Sequence, residues 1–145
     1  MCRAVLGILA VSFAFTGSSV FQSSTFAGAW ASTSTPGLMW IIEQSPSELI
    51  QRIHLQEREL RTNQWTLGGS PITVSNVFGG NAAQLAASVD GQFLVFQGPI
   101  VLSLGPASYR QTWRLDETGR LIVDTMIQGS DGSSFKRQEV FTKQP

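Results

Sequence analysis

His54 is the only imidazole in the chain and Cys2 the only thiol, so the residue types that most often carry out chemistry are each represented once. Nucleophilic catalysis needs a base beside the nucleophile, and no Gly-x-Ser-x-Gly turn presents a serine to His54. A zinc centre would have to draw its ligands almost wholly from carboxylates. A haem iron needs only one histidine, but by alternation Arg52 and Gln56 share the face of His54, and that polar face reads as a solvated or hydrogen-bonded position. Asp116 and Glu117 are adjacent acids on a hairpin turn, and Asp90 and Asp131 each precede glycine, where a carboxylate shapes the turn rather than acting as an acid or base. Gly79-Gly80 lacks the lysine and following helix of a phosphate loop. The residues therefore predict no catalytic site, no metal and no cofactor.

What remains is binding chemistry. Trp30, Trp40, Trp65 and Trp113 fall on separate predicted strands, so several can meet inside one small domain. Tyr109, Gln111, Trp113 and Leu115 share one face by alternation. In the functional reading, Trp40, Tyr109 and Trp113 line the wall of an apolar pocket and Gln111 orients a ligand head group, the make-up by which β-barrels hold small lipophilic molecules. In the competing reading the aromatics simply fill the interior, and the domain is an interaction or structural module of the cell envelope. Interior volume separates the two.

The elements that must position these residues are read most clearly between Ser108 and Phe141. Three runs rich in β-branched and aromatic residues are separated by Asp-Glu-Thr-Gly and Gly-Ser-Asp-Gly-Ser, the pattern of an antiparallel meander. Upstream, strands are expected at Phe26–Ser32, Leu38–Gln44, Pro71–Ser75, Gln92–Gln97 and Ile100–Leu104, with Gly98-Pro99 interrupting the last two. The stretch 77–87, rich in Gly, Asn and Ala, predicts a flexible connection or a weak edge strand. Residues 48–61 fit two patterns. Leu49, Ile50, Ile53 and Leu60 make a helical stripe capped by Ser47, whereas Leu49, Gln51, Ile53 and Leu55 alternate as in a strand. Strands at Glu48–Leu55 and Glu59–Leu67, joined by the charged turn Gln56-Glu57-Arg58, are preferred. No βαβ alternation occurs, so the class is all-β, an antiparallel meander of eight to ten strands forming a closed or half-open barrel.

Residues 1–24 fit a secretory signal peptide, with a basic start at Arg3, an apolar run from Ala4 to Phe15 and small polar residues beyond. That run is too short to span a bilayer, so no stable membrane span is expected in the mature chain. Residues 25–145 then form one exported domain without cysteine, held by its core rather than by disulfides, which favours a bacterial periplasm or the cell exterior over a disulfide-dense secretion. A formal net charge of zero offers no electrostatic footprint for nucleic acid. Ligand identity and oligomeric state leave no mark in the sequence.

Gly28-x-Trp30 at the start of the domain, the train of short hairpins, and the hairpin from Thr112-Trp113-Arg114-Leu115 to Gly119-Arg120-Leu121 together resemble the lipocalin-like, or calycin, group of β-barrels, in particular small exported bacterial members. The resemblance covers residues 26–142. It implies a barrel that binds a small hydrophobic molecule without transforming it. It also implies that Trp30 plugs the closed end beneath an arginine of the last strand, Arg137, with Arg110 and Arg114 competing for that role. The disulfide and C-terminal helix of larger lipocalins have no counterpart here.

Overall fold

Buried and exposed residues alternate along strand after strand of the computed structural model, which describes residues 25–145. The expected targeting segment, with Cys2, lies outside the described residues. The strands are β1 (Gly28–Ser32), β2 (Leu38–Gln44), β3 (Glu48–Leu55), β4 (Arg58–Thr66), β5 (Ile72–Phe78), β6 (Asn81–Asp90), β7 (Phe93–Leu102), β8 (Gly105–Leu115), β9 (Leu121–Gly129) and β10 (Ser134–Lys143). They form one ten-stranded sheet in the order β4-β3-β2-β1-β10-β9-β8-β7-β6-β5, antiparallel throughout. Pairing of β1 with β10 curls the meander into a nearly closed barrel. Its two free edges, β4 and β5, meet without a backbone ladder among the described residues.

Residues 48–61 are the two strands that alternation favoured. Leu49, Gln51 and Ile53 on β3 face inward opposite Trp65, Asn63 and Arg61 on β4. The connecting residues Gln56 and Glu57 both adopt positive φ, 50° and 67°, the geometry whose twist suits a two-residue hairpin.

Two expectations are corrected. Residues 81–90 are a full strand between β7 and β5 rather than the flexible connection or weak edge strand expected for 77–87, because the inward Ala83, Leu85 and Ala87 are buried and Leu85 accepts the Trp65 indole N–H at 3.1 Å. Packing outweighs the low β-propensity of alanine. Nor does Gly98-Pro99 break the next strand. Both pair continuously with β8, while the ladder to β6 skips them, so the missing proline N–H costs nothing.

The β8–β9 turn is fixed by one carboxylate. Asp116 accepts from the backbone N–H groups of Thr118 and Arg120, both at 2.9 Å, and pairs with Arg120 Nε at 2.8 Å. Hydrogen bonds from Arg120 and Thr118 hold its pKa well below the usual carboxylate range. Because folding lowers this pKa, the contribution is complete above the unfolded value of about 4 and drains as pH falls below it. Asp116→Asn is therefore expected to lower the urea midpoint at neutral pH and to lose less than the unsubstituted chain on acidification to about pH 3.

One end of the barrel is solid. Phe26, Trp30, Leu49, Trp113, Leu121 and Phe141 are all buried there, with 0–2% of their surface exposed. The other end, where the turns β1–β2, β3–β4, β5–β6, β7–β8 and β9–β10 gather, leads into a cavity.

Candidate functional site

The cavity has a volume of about 600 Å³. Its apolar wall comes from the inward faces of seven strands and includes Leu38, Trp40, Ile53, Trp65, Leu85, Phe96 and Phe135. Its floor is an aromatic stack in which Trp40 meets Phe141 at 4.3 Å and Trp113 at 5.2 Å between ring centroids, and Phe96 meets both Trp113 at 4.5 Å and Trp65 at 4.9 Å. These tilted and edge-on contacts are the favourable arrangements for aromatic pairs.

Nine polar or charged residues and Tyr109 share this wall, and several are held by their neighbours. The Trp113 indole N–H can only donate, and it donates to Gln111 Oε1 at 2.8 Å. The Gln111 amide nitrogen is thereby turned to Tyr109 Oη at 2.9 Å and Thr125 Oγ1 at 3.0 Å. Burial raises the pKa of the Tyr109 phenol, which keeps it neutral. On the facing strands Asn63 Nδ2 donates to Gln51 Oε1 at 3.1 Å, and both side chains are buried. Near the mouth, Arg137 Nη2 pairs with Glu139 Oε1 at 2.5 Å. Arg61, half-buried on β4, donates across the free edges to the Ser75 carbonyl on β5. Burial lowers its pKa.

Three of the four residues expected to line a pocket do so: Trp40, Tyr109 and Gln111. Trp113 does not. It lies below the cavity, 0% exposed and enclosed by Phe26, Trp40 and Phe96, and reaches the wall only through its hydrogen bond to Gln111. Gly28 opens β1 at a φ of 140°, which L side chains rarely adopt, and a Cβ there would stand 2.9 Å from Lys143 Cε. Trp30 plugs the closed end at 1% exposure and donates its indole N–H to the Phe26 carbonyl at 2.8 Å.

The cation over Trp30 is not Arg137. Lys143 is the β10 residue in register with Trp30, and its Nζ stands 5.7 Å from the ring centroid. Arg137 lies three inward positions earlier on β10, at the opposite end of the barrel, and takes Glu139 as its partner. Lys143→Gln is expected to cost about 0.5–1 kcal/mol in chemical denaturation, whereas Arg137→Gln leaves the Trp30 fluorescence environment unchanged.

His54 is on the outward face of β3, in register with Met39 and Glu59, and does not reach the cavity. Contrary to the solvated or hydrogen-bonded position expected, its Nε2 is buried without a partner among the described residues. No group of three or more His, Cys, Asp or Glu side chains converges to hold a metal among the described residues.

No family model matches the chain, and no curated protein matches it by sequence. Solved structures do match. Fluorescent protein UnaG superposes with a TM-score of 0.51 at 13% identity, covering 82% of this chain and 97% of its own. Two point mutants of UnaG align at TM-scores of 0.51 and 0.50, each with 14% identity. The likeness is one of fold, a barrel of antiparallel strands. At this level of identity the likeness is one of backbone architecture, and the chemistry of the site rests on the residues described above.

Sequence reading missed Arg61, Asn63, Thr125 and Glu139 as wall residues. Each stands on the inward face of its strand, so a polar residue interrupting an apolar alternation was the available signal, as at Gln51 between Leu49 and Ile53.

Proposed function

We propose that the chain is an exported, non-catalytic binding protein for a small hydrophobic molecule held inside the barrel. The observation that carries this reading is the cavity of about 600 Å³, whose aromatic and aliphatic wall is interspersed with oriented polar groups. Pockets for small molecules span about 300–1,000 Å³. An interior of that volume removes the support for a barrel packed solid by its own side chains.

Export rests on the N-terminal pattern, basic at Arg3 and apolar from Ala4 to Phe15. The bacterial, lipocalin-like assignment rests on Gly28-x-Trp30 and the closing Thr112-Trp113 hairpin. Purifying the chain natively from its exported fraction, extracting it with organic solvent and weighing the extract by mass spectrometry tests the reading. A near-stoichiometric lipophilic compound is expected. Protein that yields none, and that binds no fluorescent lipophile in titration, would remove the carrier role. Recovery of the full-length chain solely from the cytoplasm would remove export.

A further inference from the structure

Two amides sit in largely apolar surroundings with hydrogen-bonding capacity to spare. Gln51 on β3 and Asn63 on β4 stand opposite one another in register, and only 4% and 6% of their surface is exposed. Their neighbours on the same face are Leu49 and Trp65 towards the base and Ile53 and Arg61 towards the mouth, while Ile42 flanks Gln51 from β2. The single bond between them, from Asn63 Nδ2 to Gln51 Oε1 at 3.1 Å, uses one donor and one acceptor. Gln51 Nε2 and Asn63 Oδ1 take no partner among the described residues, and both keep accessible surface in the cavity that the two residues line. Turning both amides round exchanges the atoms without changing the count.

Other polar groups of the wall are committed elsewhere. The Trp65 indole N–H is held by the Leu85 carbonyl, Arg61 reaches the Ser75 carbonyl, Gln111 is occupied by Trp113, Tyr109 and Thr125, and Arg137 pairs with Glu139. A half-matched amide pair is a poor device for stability alone. Replacing both partners by apolar groups of similar shape is close to neutral or stabilising, whereas an unmatched donor and acceptor in apolar surroundings cost free energy. What the pair offers instead is selection, through one donor and one acceptor on adjoining side chains. A carboxylate brings only acceptors and an ammonium only donors, so either leaves one of the two atoms opposed by like partial charge. A carboxamide brings both.

We propose that Gln51 and Asn63 form the head-group site for a neutral lipophilic amide, which lies head-first above the aromatic floor with its hydrocarbon tail running past Ile53 and Leu38 to the mouth. The proposal rests on the carrier reading and narrows it to uncharged amides. Depth favours it. Leu49 and Trp65, the next inward pair below, are buried in the base and floor, so a head group at this level is shielded from water that would compete for its hydrogen bonds. An ester of the same tail keeps the carbonyl for Gln51 but lacks the N–H, which leaves Asn63 Oδ1 covered and unbonded. The amide is thereby preferred by about 10-fold.

The test displaces Nile red from the full chain with oleamide and with methyl oleate, which share a tail and are both uncharged. Oleamide is expected to bind about 10-fold more tightly. The double substitution Gln51→Met with Asn63→Leu is expected to bring the two affinities within about 2-fold while the thermal midpoint stays equal to or above that of the unsubstituted chain, a combination that a merely structural pair would not give. Equal affinity of the unsubstituted protein for amide and ester, or a preference that survives the double substitution, overturns the site and leaves the carrier reading standing. Should the double variant not fold, an undiminished preference in Asn63→Leu overturns it instead. Failure of both compounds to bind overturns the carrier reading and this site with it.

Discussion

Trp113→Ala is expected to destabilise the domain by about 3–5 kcal/mol, the range for removing a fully enclosed aromatic from a core. Trp113 is 0% exposed, and its ring contacts those of Phe26, Trp40 and Phe96 at 6.2, 5.2 and 4.5 Å. An aromatic side chain of this size buries about 150–250 Å², which corresponds to at most roughly 4–6 kcal/mol of transfer free energy because the unfolded chain already buries part of that area. The substitution has a second consequence that a simple core residue would not show. Without the indole N–H, nothing fixes the direction of the Gln111 amide, and the orientation of Tyr109 and Thr125 loosens with it. Chemical denaturation reads the first effect. Weakened probe binding in whatever fraction remains folded reads the second. A midpoint within about 1 kcal/mol of the unsubstituted chain would show that the aromatic stack does not hold the closed end.

Gly98→Ala is expected to cost about 3 kcal/mol, more than a surface strand glycine would. A Cβ at residue 98 would stand 1.7 Å from the Gln84 carbonyl oxygen and 2.9 Å from its carbon, and both of those atoms are backbone. No rotamer change relieves such an overlap. Either β6 or β7 must move where the ladder between them is already interrupted, and buried Leu85 and Ile100 move with it. A small shift in the thermal midpoint, below about 2 °C, would mean that the two strands part at little cost. Gly91, in the turn between the same two strands, meets nothing within 4 Å and serves as the control for mutation without collision, although its φ of 60° favours glycine.

Much of this architecture was legible in the sequence because two-residue alternation is a local property. The meander from Ser108 to Phe141, the strands at Leu38–Gln44 and Glu48–Leu55, and the face shared by Tyr109 and Gln111 follow from side-chain order alone, although β8 begins earlier, at Gly105. Strand β6 reads at most as a weak edge, since the burial of its small Ala83 and Ala87 is conferred by other strands, Ala87 standing in register with Phe96. The pairing of Lys143 with Trp30 is not legible at all. Which cation lies over the ring depends on the register between β1 and β10, separated by over a hundred residues, and composition does not encode register. Trp113 was placed on the correct face but at the wrong depth. Alternation assigns a side, whereas height along the barrel depends on where the aromatic floor lies.

Everywhere else around the barrel, neighbouring strands are stitched by a row of amide bonds. Between β4 and β5 the closure depends on Arg61 reaching Ser75, with Trp65 to Leu85 and Gly68 to Ala87 fastening the deeper end to β6. Among the described residues this seam is the one border of the barrel without a backbone ladder, so it is where the wall has the fewest ties to break, and it runs beside the cavity rather than beside the solid base.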